Sequence, residues 1–360
     1  MFCGIAAAIA ASAVRAEVLP EERSDVMFHA YDGGGTKVNG PALLVRKSFA
    51  DKVSVYGSYY VDNISGASID VVTTASPYKD QRTERSVGVD YLRQNSLISL
   101  SLINSVENDY LADTVNLNAS HEMFGGMTTV TMGYSQGKDT VKRVDTDFRD
   151  GIDRYQYRLG LSQVLTKTLL ASLNFEAVAE DGYLNNPYRA ARLLGTVVPE
   201  RYPRTRESQA IALRVAKGFG ADDGALRSSV HVSTRYFSDT WEITANDLEI
   251  GYQRRFSQQW LSEFRYRYYH QNAASFYRDN FTSEMAYMAR DKELSTFRSH
   301  TLGAKFARTL WDQGETMKKS TLNIAYDHIR YNYDDFTDVR NGQLYAFDAN
   351  VVQLFWSLWY

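Results

Sequence analysis

The chain holds 360 residues, 44% hydrophobic and 13% aromatic, and its 40 Lys and Arg nearly balance 43 Asp and Glu for a formal net charge of −3. Mean hydropathy is −0.39, and no run approaches the roughly 20 apolar residues of a membrane-spanning helix. The near-neutral balance argues against nucleic acid as a bulk electrostatic partner, and one cysteine, Cys3, supports neither a disulfide framework nor a thiolate metal site.

At this length the chain is either two soluble domains or one large barrel. Residues 4–14 form the longest apolar run. It is too short to span a membrane and has the form of a signal-peptide core, with Val14, Arg15 and Ala16 as a small-residue cleavage site. No Lys or Arg precedes it, which points to a start upstream of Met1 or a shortened sequence. The expected organisation is a signal peptide over 1–16, a periplasmic N-terminal segment over 17–24 and a single barrel over 25–360. Cleavage removes Cys3.

From there the chain alternates. Ile98, Leu100 and Leu102 stand at every second position; so do Val115, Leu117 and Ala119, then Val130, Met132 and Tyr134. The pattern returns at Tyr155, Tyr157, Leu159 and Leu161, at Leu173 and Phe175, at Leu248, Ile250 and Tyr252, at Phe264, Tyr266 and Tyr268, and at Leu322, Ile324 and Tyr326. Ser, Thr, Asn, Gly, Arg and Glu fill the places between. Successive strand side chains point to opposite faces, so each segment predicts a strand with one apolar and one polar face. The segments run about 9–13 residues, near the length of a tilted membrane-spanning strand.

Connections alternate in length. Short ones fall near 50–51, 94–95, 124–126, 166–167, 220–224, 258–259 and 312–317. The others fall near 33–39, 63–81, 107–109, 137–150, 180–205, 238–242, 272–296 and 332–345, and two of these are also short. Short periplasmic turns and longer extracellular loops give this asymmetry. The count is about 16 strands, an even number that brings both ends to one side.

The chain closes on Val352, Leu354, Trp356, Leu358 and Tyr360, apolar at every second position. This run resembles the closing strand of a bacterial outer-membrane β-barrel, where the terminal aromatic strand is read by the barrel-insertion machinery. A buried edge strand of a soluble sheet is the alternative. Lipid cannot satisfy backbone N–H and C=O groups, so a chain without apolar helices spans only as a closed barrel. The predicted fold is therefore an all-β, transmembrane, antiparallel up-and-down barrel.

The stretch Gly40-Pro41-Ala42-Leu43-Leu44-Val45-Arg46-Lys47-Ser48-Phe49, followed by Tyr59-Tyr60-Val61-Asp62 and by Ser65-Gly66-Ala67-Ser68-Ile69-Asp70-Val71-Val72-Thr73-Thr74-Ala75-Ser76-Pro77-Tyr78, resembles the bacterial family catalogued as domain of unknown function 3570. The resemblance runs over most of the mature chain. It implies location in the outer membrane of a Gram-negative bacterium, with lipid and the barrel-assembly machinery as partners. Genes of this family are often described beside those for a small lipoprotein, a thioredoxin-like protein and a flavin transferase. The resemblance therefore also implies a neighbour-encoded periplasmic lipoprotein as partner. It assigns no catalytic residue.

If the apolar set faces lipid, then Arg154, Arg158, Arg214, Arg235, Arg255, Arg265, Arg267 and Lys305 point into the lumen with Glu176, Glu249, Glu263 and Asp327. An Arg excess there favours anions; the structural alternative is a set of charge ladders that tie strands together. The segment 62–78 is a candidate constriction, with Asp62 and Asp70 supplying charge, or else a hairpin extending the wall. Gly33, Gly34 and Gly35 lack G-x-G-x-x-G spacing and read as a hairpin tip. The six His are scattered singly, and alternation turns only His231 inward, so no metal site is expected. Tyr155, Tyr157, Trp241, Trp260, Tyr266, Tyr268, Trp356, Trp359 and Tyr360 are candidate interface anchors. No G-x-S-x-G elbow occurs. The expected function is a pore or export conduit for a small solute or peptide, with no cofactor. The alternatives are a non-conducting scaffold that docks partners and, less favoured, an outer-membrane enzyme.

Overall fold

A strand with one greasy face has a single way to satisfy its backbone in lipid, which is to pair on both edges and close the sheet. The computed structural model of the protein describes residues 18–66, 78–220, 226–312, 314 and 316–360. In chain order the strands are β1 (Arg23–Gly33), β2 (Thr36–Phe49), β3 (Val53–Gly66), β4 (Tyr78–Arg93), β5 (Ser96–Val106), β6 (Tyr110–Met123), β7 (Thr128–Lys142), β8 (Arg149–Thr166), β9 (Leu169–Gly182), β10 (Ala190–Leu193), β11 (Thr196–Pro199), β12 (Thr205–Gly220), β13 (Leu226–Asp239), β14 (Thr244–Arg255), β15 (Trp260–Gln271), β16 (Phe297–Asp312), β17 (Lys319–Asp338) and β18 (Gln343–Trp359). Sixteen of them form a closed barrel in which each pairs with its neighbours in sequence, while β10 and β11 make a separate hairpin between β9 and β12.

Burial is inverted relative to a soluble sheet. Phe28, Leu43, Leu100, Leu117, Met132, Leu159, Ile250, Leu302, Ile324 and Leu354 are exposed, whereas Ser54, Asp90, Ser101, Ser135, Ser262 and Ser320 are buried. Register carries the exposed set around the wall: Val26 lies opposite Leu43, Leu100 opposite Leu117, Leu117 opposite Tyr134, and Tyr326 opposite Val352. A continuous apolar belt of this extent far exceeds the few hundred Å² that a soluble monomer shows. It is the outer, lipid-facing surface. Strands of 11 to 20 residues exceed the roughly 9–11 that a tilted span needs, so the wall continues past the membrane.

The first described residues and the C-terminal residue lie at the short-turn end. There Ala50 and Asp51 adopt φ of 53° and 55°, the two left-handed residues of a tight hairpin. Gly34 and Gly35, at φ 60° and 81°, close β1 onto β2 at the opposite end as a hairpin tip.

The seam is the pairing of β1 with β18, from Arg23 opposite Trp359 to Gly33 opposite Ala349. The final residue fastens it. Tyr360 donates its hydroxyl to the Arg46 carbonyl at 2.9 Å, accepts from Lys318 Nζ at 3.2 Å through its own carbonyl, and lies under Lys47 Nζ at 5.3 Å from the ring centre. Trp359 falls on the inner register, opposite in face to Trp356 and Leu358. Deleting Trp359 and Tyr360 is expected to abolish heat-modifiable, protease-resistant protein in the membrane fraction; unchanged assembly on a semi-native gel would refute this.

Candidate functional site: the charged lumen and its loop cap

Alternation and register place Asp62 (β3), Arg154 and Arg158 (β8), Glu176 (β9), Arg214 (β12), Arg235 (β13), Glu249 and Arg255 (β14), Glu263, Arg265 and Arg267 (β15), Lys305 (β16) and Asp327 (β17) on the face opposite the exposed apolar residues. Asp70 and residues 67–77, the core of the candidate constriction, lie outside the described residues.

Several of these groups meet. Arg265 Nη2 reaches Asp327 Oδ2 at 2.5 Å and its Nε reaches Oδ1 at 3.2 Å. The two residues sit on β15 and β17, and the strand between them carries Gly303 at that level. A side chain there would occupy the space the guanidinium uses. Arg267 pairs with Asp247 at 2.7 Å, Arg235 with Glu176 at 3.5 Å, and Arg154 with Glu180 at 2.8 Å and Asp139 at 3.2 Å. His231 Nε2 lies 3.2 Å from Glu249 Oε1. Among the described residues Arg158, Arg214, Arg255 and Lys305 have no carboxylate at ion-pair distance. Lys305 Nζ instead stands 5.2 Å from the Phe355 ring centre, and Glu263 faces Lys305 in register without pairing.

The wall from β3 to β7 is different. Its inner positions include Ser58, Ser86, Ser101, Asn116 and Ser135, joined by hydrogen bonds: Ser58 to Ser86 at 2.6 Å, Asn116 to Ser101 at 3.3 Å and Ser135 to Asn116 at 2.5 Å. In the ring of strands β5 stands opposite β15. The inner hydroxyls of β5, Ser99 and Ser101, thus face the arginines of β15, while the charged inner groups of the flanking strands, Asp62 on β3, Arg82 and Asp90 on β4 and Asp139 on β7, are held in ion pairs.

Histidine placement corrects one expectation. His29 also points inward and is buried. Its Nε2 lies 2.7 Å from Asp62 Oδ1 and its ring stacks on Tyr60 at 4.7 Å, while Arg82 pairs with Asp62 at 2.7 Å. Gly40 lies opposite His29 in register, and a side chain there would run into the Val61 carbonyl, so the backbones of β2 and β3 approach closely at this level. Trp241 is a second correction. It is 4% exposed and packs edge-on against Phe276 at 5.1 Å, within the loop-end core and away from lipid.

That core caps one sector of the long-loop end. Phe237, Phe297, Tyr331, Tyr333, Tyr345 and Phe347 line the inner wall there, and Ala274, Phe276, Tyr277, Ala289 and Leu294 of the loop between β15 and β16 pack against them. The loop between β9 and β12 joins through backbone bonds of Leu194 to Phe281 and of Arg201 with Met288. Arg290 is the lock. It pairs with Asp279 at 2.8 Å, donates to the Thr337 carbonyl at 2.8 Å, and lies over Phe336 at 4.4 Å with only 4% of its side chain exposed. Its backbone N–H donates to Glu200 at 2.6 Å, and Tyr202 donates to the same carboxylate at 2.7 Å. Burial, then the Glu200 charge, hold the Tyr202 hydroxyl well above its usual range, so it remains a donor. The apolar residues inside these loops were the available sequence signal; a solvated loop would not need them.

Asp80, Glu107 and Asp109 cluster near the same end, their oxygen atoms within 4.8 Å of one another. All three are half-buried, and burial raises the Glu107 and Asp109 carboxyls with neighbouring acids adding to it.

The family described as "Protein of unknown function (DUF3570)" matches residues 69–149 and 142–344. No curated protein matches the chain. Among solved structures, a bacterial polysaccharide outer membrane secretin is similar with a TM-score of 0.54 at 8% identity, over 93% of this chain and 97% of that one. Pseudomonas aeruginosa OpdK with vanillate gives 0.46 at 9% identity over 95% and 100%, and a Pseudomonas aeruginosa FadL homologue 0.44 at 10% over 94% and 90%. At 8% identity the likeness to the secretin is one of fold alone.

Removing one partner of a buried, hydrogen-bonded pair costs about 3–5 kcal/mol. Arg290→Ala is therefore expected to release the cap while leaving the barrel closed. Chymotryptic cleavage near Phe276 and Tyr277 should accelerate at least about tenfold, with heat-modifiability unchanged; an unaltered digestion rate would rule out the lock.

Proposed function

The chain belongs to the DUF3570 family, which matches well over half of it, and on that footing we propose that it is an outer-membrane conduit that passes or exports a small solute or peptide through an Arg-bearing lumen. One observation carries the reading: a closed sixteen-stranded wall that is apolar outside and lined inside by hydroxyls, amides and ion pairs. A barrel of this size encloses an aqueous channel unless something fills it. The similar solved structures, a secretin among them, agree with a conduit and leave the solute open. In this reading no bond-making chemistry is involved, and the lipoprotein and assembly machinery implied by the family are partners in export and insertion.

The lumen pairs suit selectivity better than stability. Arg265 and Asp327 are 34% and 14% exposed in their side chains, and pairs this accessible to water contribute about 0–1 kcal/mol. The strand ladders hold the barrel without them. The cap favours a second reading. Two long loops packed as one unit against an aromatic wall suit a non-conducting component that presents a docking surface.

Planar-bilayer recording separates the two. The refolded protein is expected to give discrete conductance steps, and Arg290→Ala to lengthen the open dwell. Arg265→Glu puts a second carboxylate beside Asp327 and is expected to shift the reversal potential in a KCl gradient towards cations. A natively folded protein that stays silent with and without Arg290 would sink the conduit and favour the scaffold.

A further inference from the structure

Arg46, Arg82, Arg154, Arg235, Arg265 and Arg267 each hold a carboxylate; Arg158, like Arg214 and Arg255, holds none among the described residues, although Glu176 lies opposite it in register, and it is exposed. It is nevertheless seated. Its Nη2 donates to Ser135 Oγ at 3.1 Å and to Asn118 Oδ1 at 3.2 Å. Gly133 stands between Asn118 and Arg158 in register. A Cβ on Gly133 would lie 2.6 Å from Asn118 Oδ1 and 3.0 Å from Arg158 Nε, so the seat depends on that glycine. Gly160, one inward position further along β8, lies between Thr131 and Asn174.

The two glycines leave a recess of about 300 Å³ in the inner wall, rimmed by Ser99, Ser120, Thr131 and Asn174 with Arg158. One acidic side chain, Glu176, borders it. That carboxylate is occupied, accepting from Gln156 Nε2 at 2.8 Å and facing Arg235 at 3.5 Å. Among the described residues the Nε and Nη1 hydrogens of Arg158 meet no acceptor, and they lie beside neutral hydroxyl and amide groups. A guanidinium already held in place loses little freedom on binding, and its charged hydrogen bonds to carboxylate are about twice as strong as neutral ones.

We propose that this recess is a subsite for small carboxylates on the path through the lumen, with Arg158 as the recognition group and Gly133 as the residue that keeps it seated. The proposal deepens the conduit reading and rests on it for the word path, but the subsite itself is tested without conduction. The folded full-length protein in detergent is titrated calorimetrically with sodium succinate and, separately, with 1,4-butanediol, its uncharged four-carbon analogue. Succinate is expected to bind saturably and butanediol not at all. Arg158→Gln should weaken succinate about tenfold or more, and Arg158→Lys should recover part of that loss. Gly133→Ala leaves the charge of the lumen unchanged and should weaken binding to a similar degree, each variant being checked for heat-modifiability first. Absence of saturable binding, equal binding of the diol, or a Gly133→Ala protein that binds like the parent would overturn the subsite; the last result would reduce Arg158 to one charge among many. Succinate binding by a protein that is silent in bilayers would retain the subsite and remove the conduit.

Discussion

Everything in this molecule follows from the inability of hydrocarbon to hydrogen-bond a peptide group. An open sheet would leave two edges of unpaired N–H and C=O groups in lipid. The pairing of β1 with β18 removes both edges, and the terminal Tyr360 is tied into that seam through Arg46 and Lys318. Once the ring closes, alternation assigns every strand residue to lipid or lumen. Apolar side chains meet the bilayer because polar ones are costly there, and the charges collect inside by exclusion.

Inside, the strand spacing would keep side chains on next-nearest strands apart. Glycine removes the obstacle. Gly303 lies between Arg265 and Asp327, and Gly133 between Arg158 and Asn118. Each is a place where a missing side chain lets longer ones cross a strand, which is a use of glycine in a sheet that costs some strand stability and gains close approach. The resulting pairs remain partly wet. An ion pair such as Arg265 with Asp327 contributes about 0–1 kcal/mol, which is small beside the ladders.

The cap obeys the opposite arithmetic. Arg290 is buried at both ends of its side chain, over Phe336 and against Asp279 and Thr337. An unpaired charge there costs several kcal/mol, so the contacts act together or not at all. The loops between β9 and β12 and between β15 and β16 therefore behave as one packed unit resting on inner-wall aromatics.

The period-two pattern of segments such as 98–102 and 264–268, the strand number near 16, the short-turn and long-loop ends and the closing strand 350–360 were all legible in the amino-acid order, because lipid rewards strict alternation and nothing distant is needed to read it. The inner positions of Arg158, Arg265 and Asp327 follow from the same rule. What the order could not express is which inner groups touch. That Arg265 meets Asp327 while Arg158 is left without a carboxylate depends on cross-strand register and on a glycine in the intervening strand, and register is set by the whole ring. His29 reads as an outward residue from the sequence alone, because a lone histidine on the first strand looks the same on either face until its partners on β3 and β4 are in place. The places of Trp241 and Arg290 are hidden in the sequence for a related reason: loop packing brings together residues far apart in the chain, and only closure of the barrel supplies the wall against which they pack.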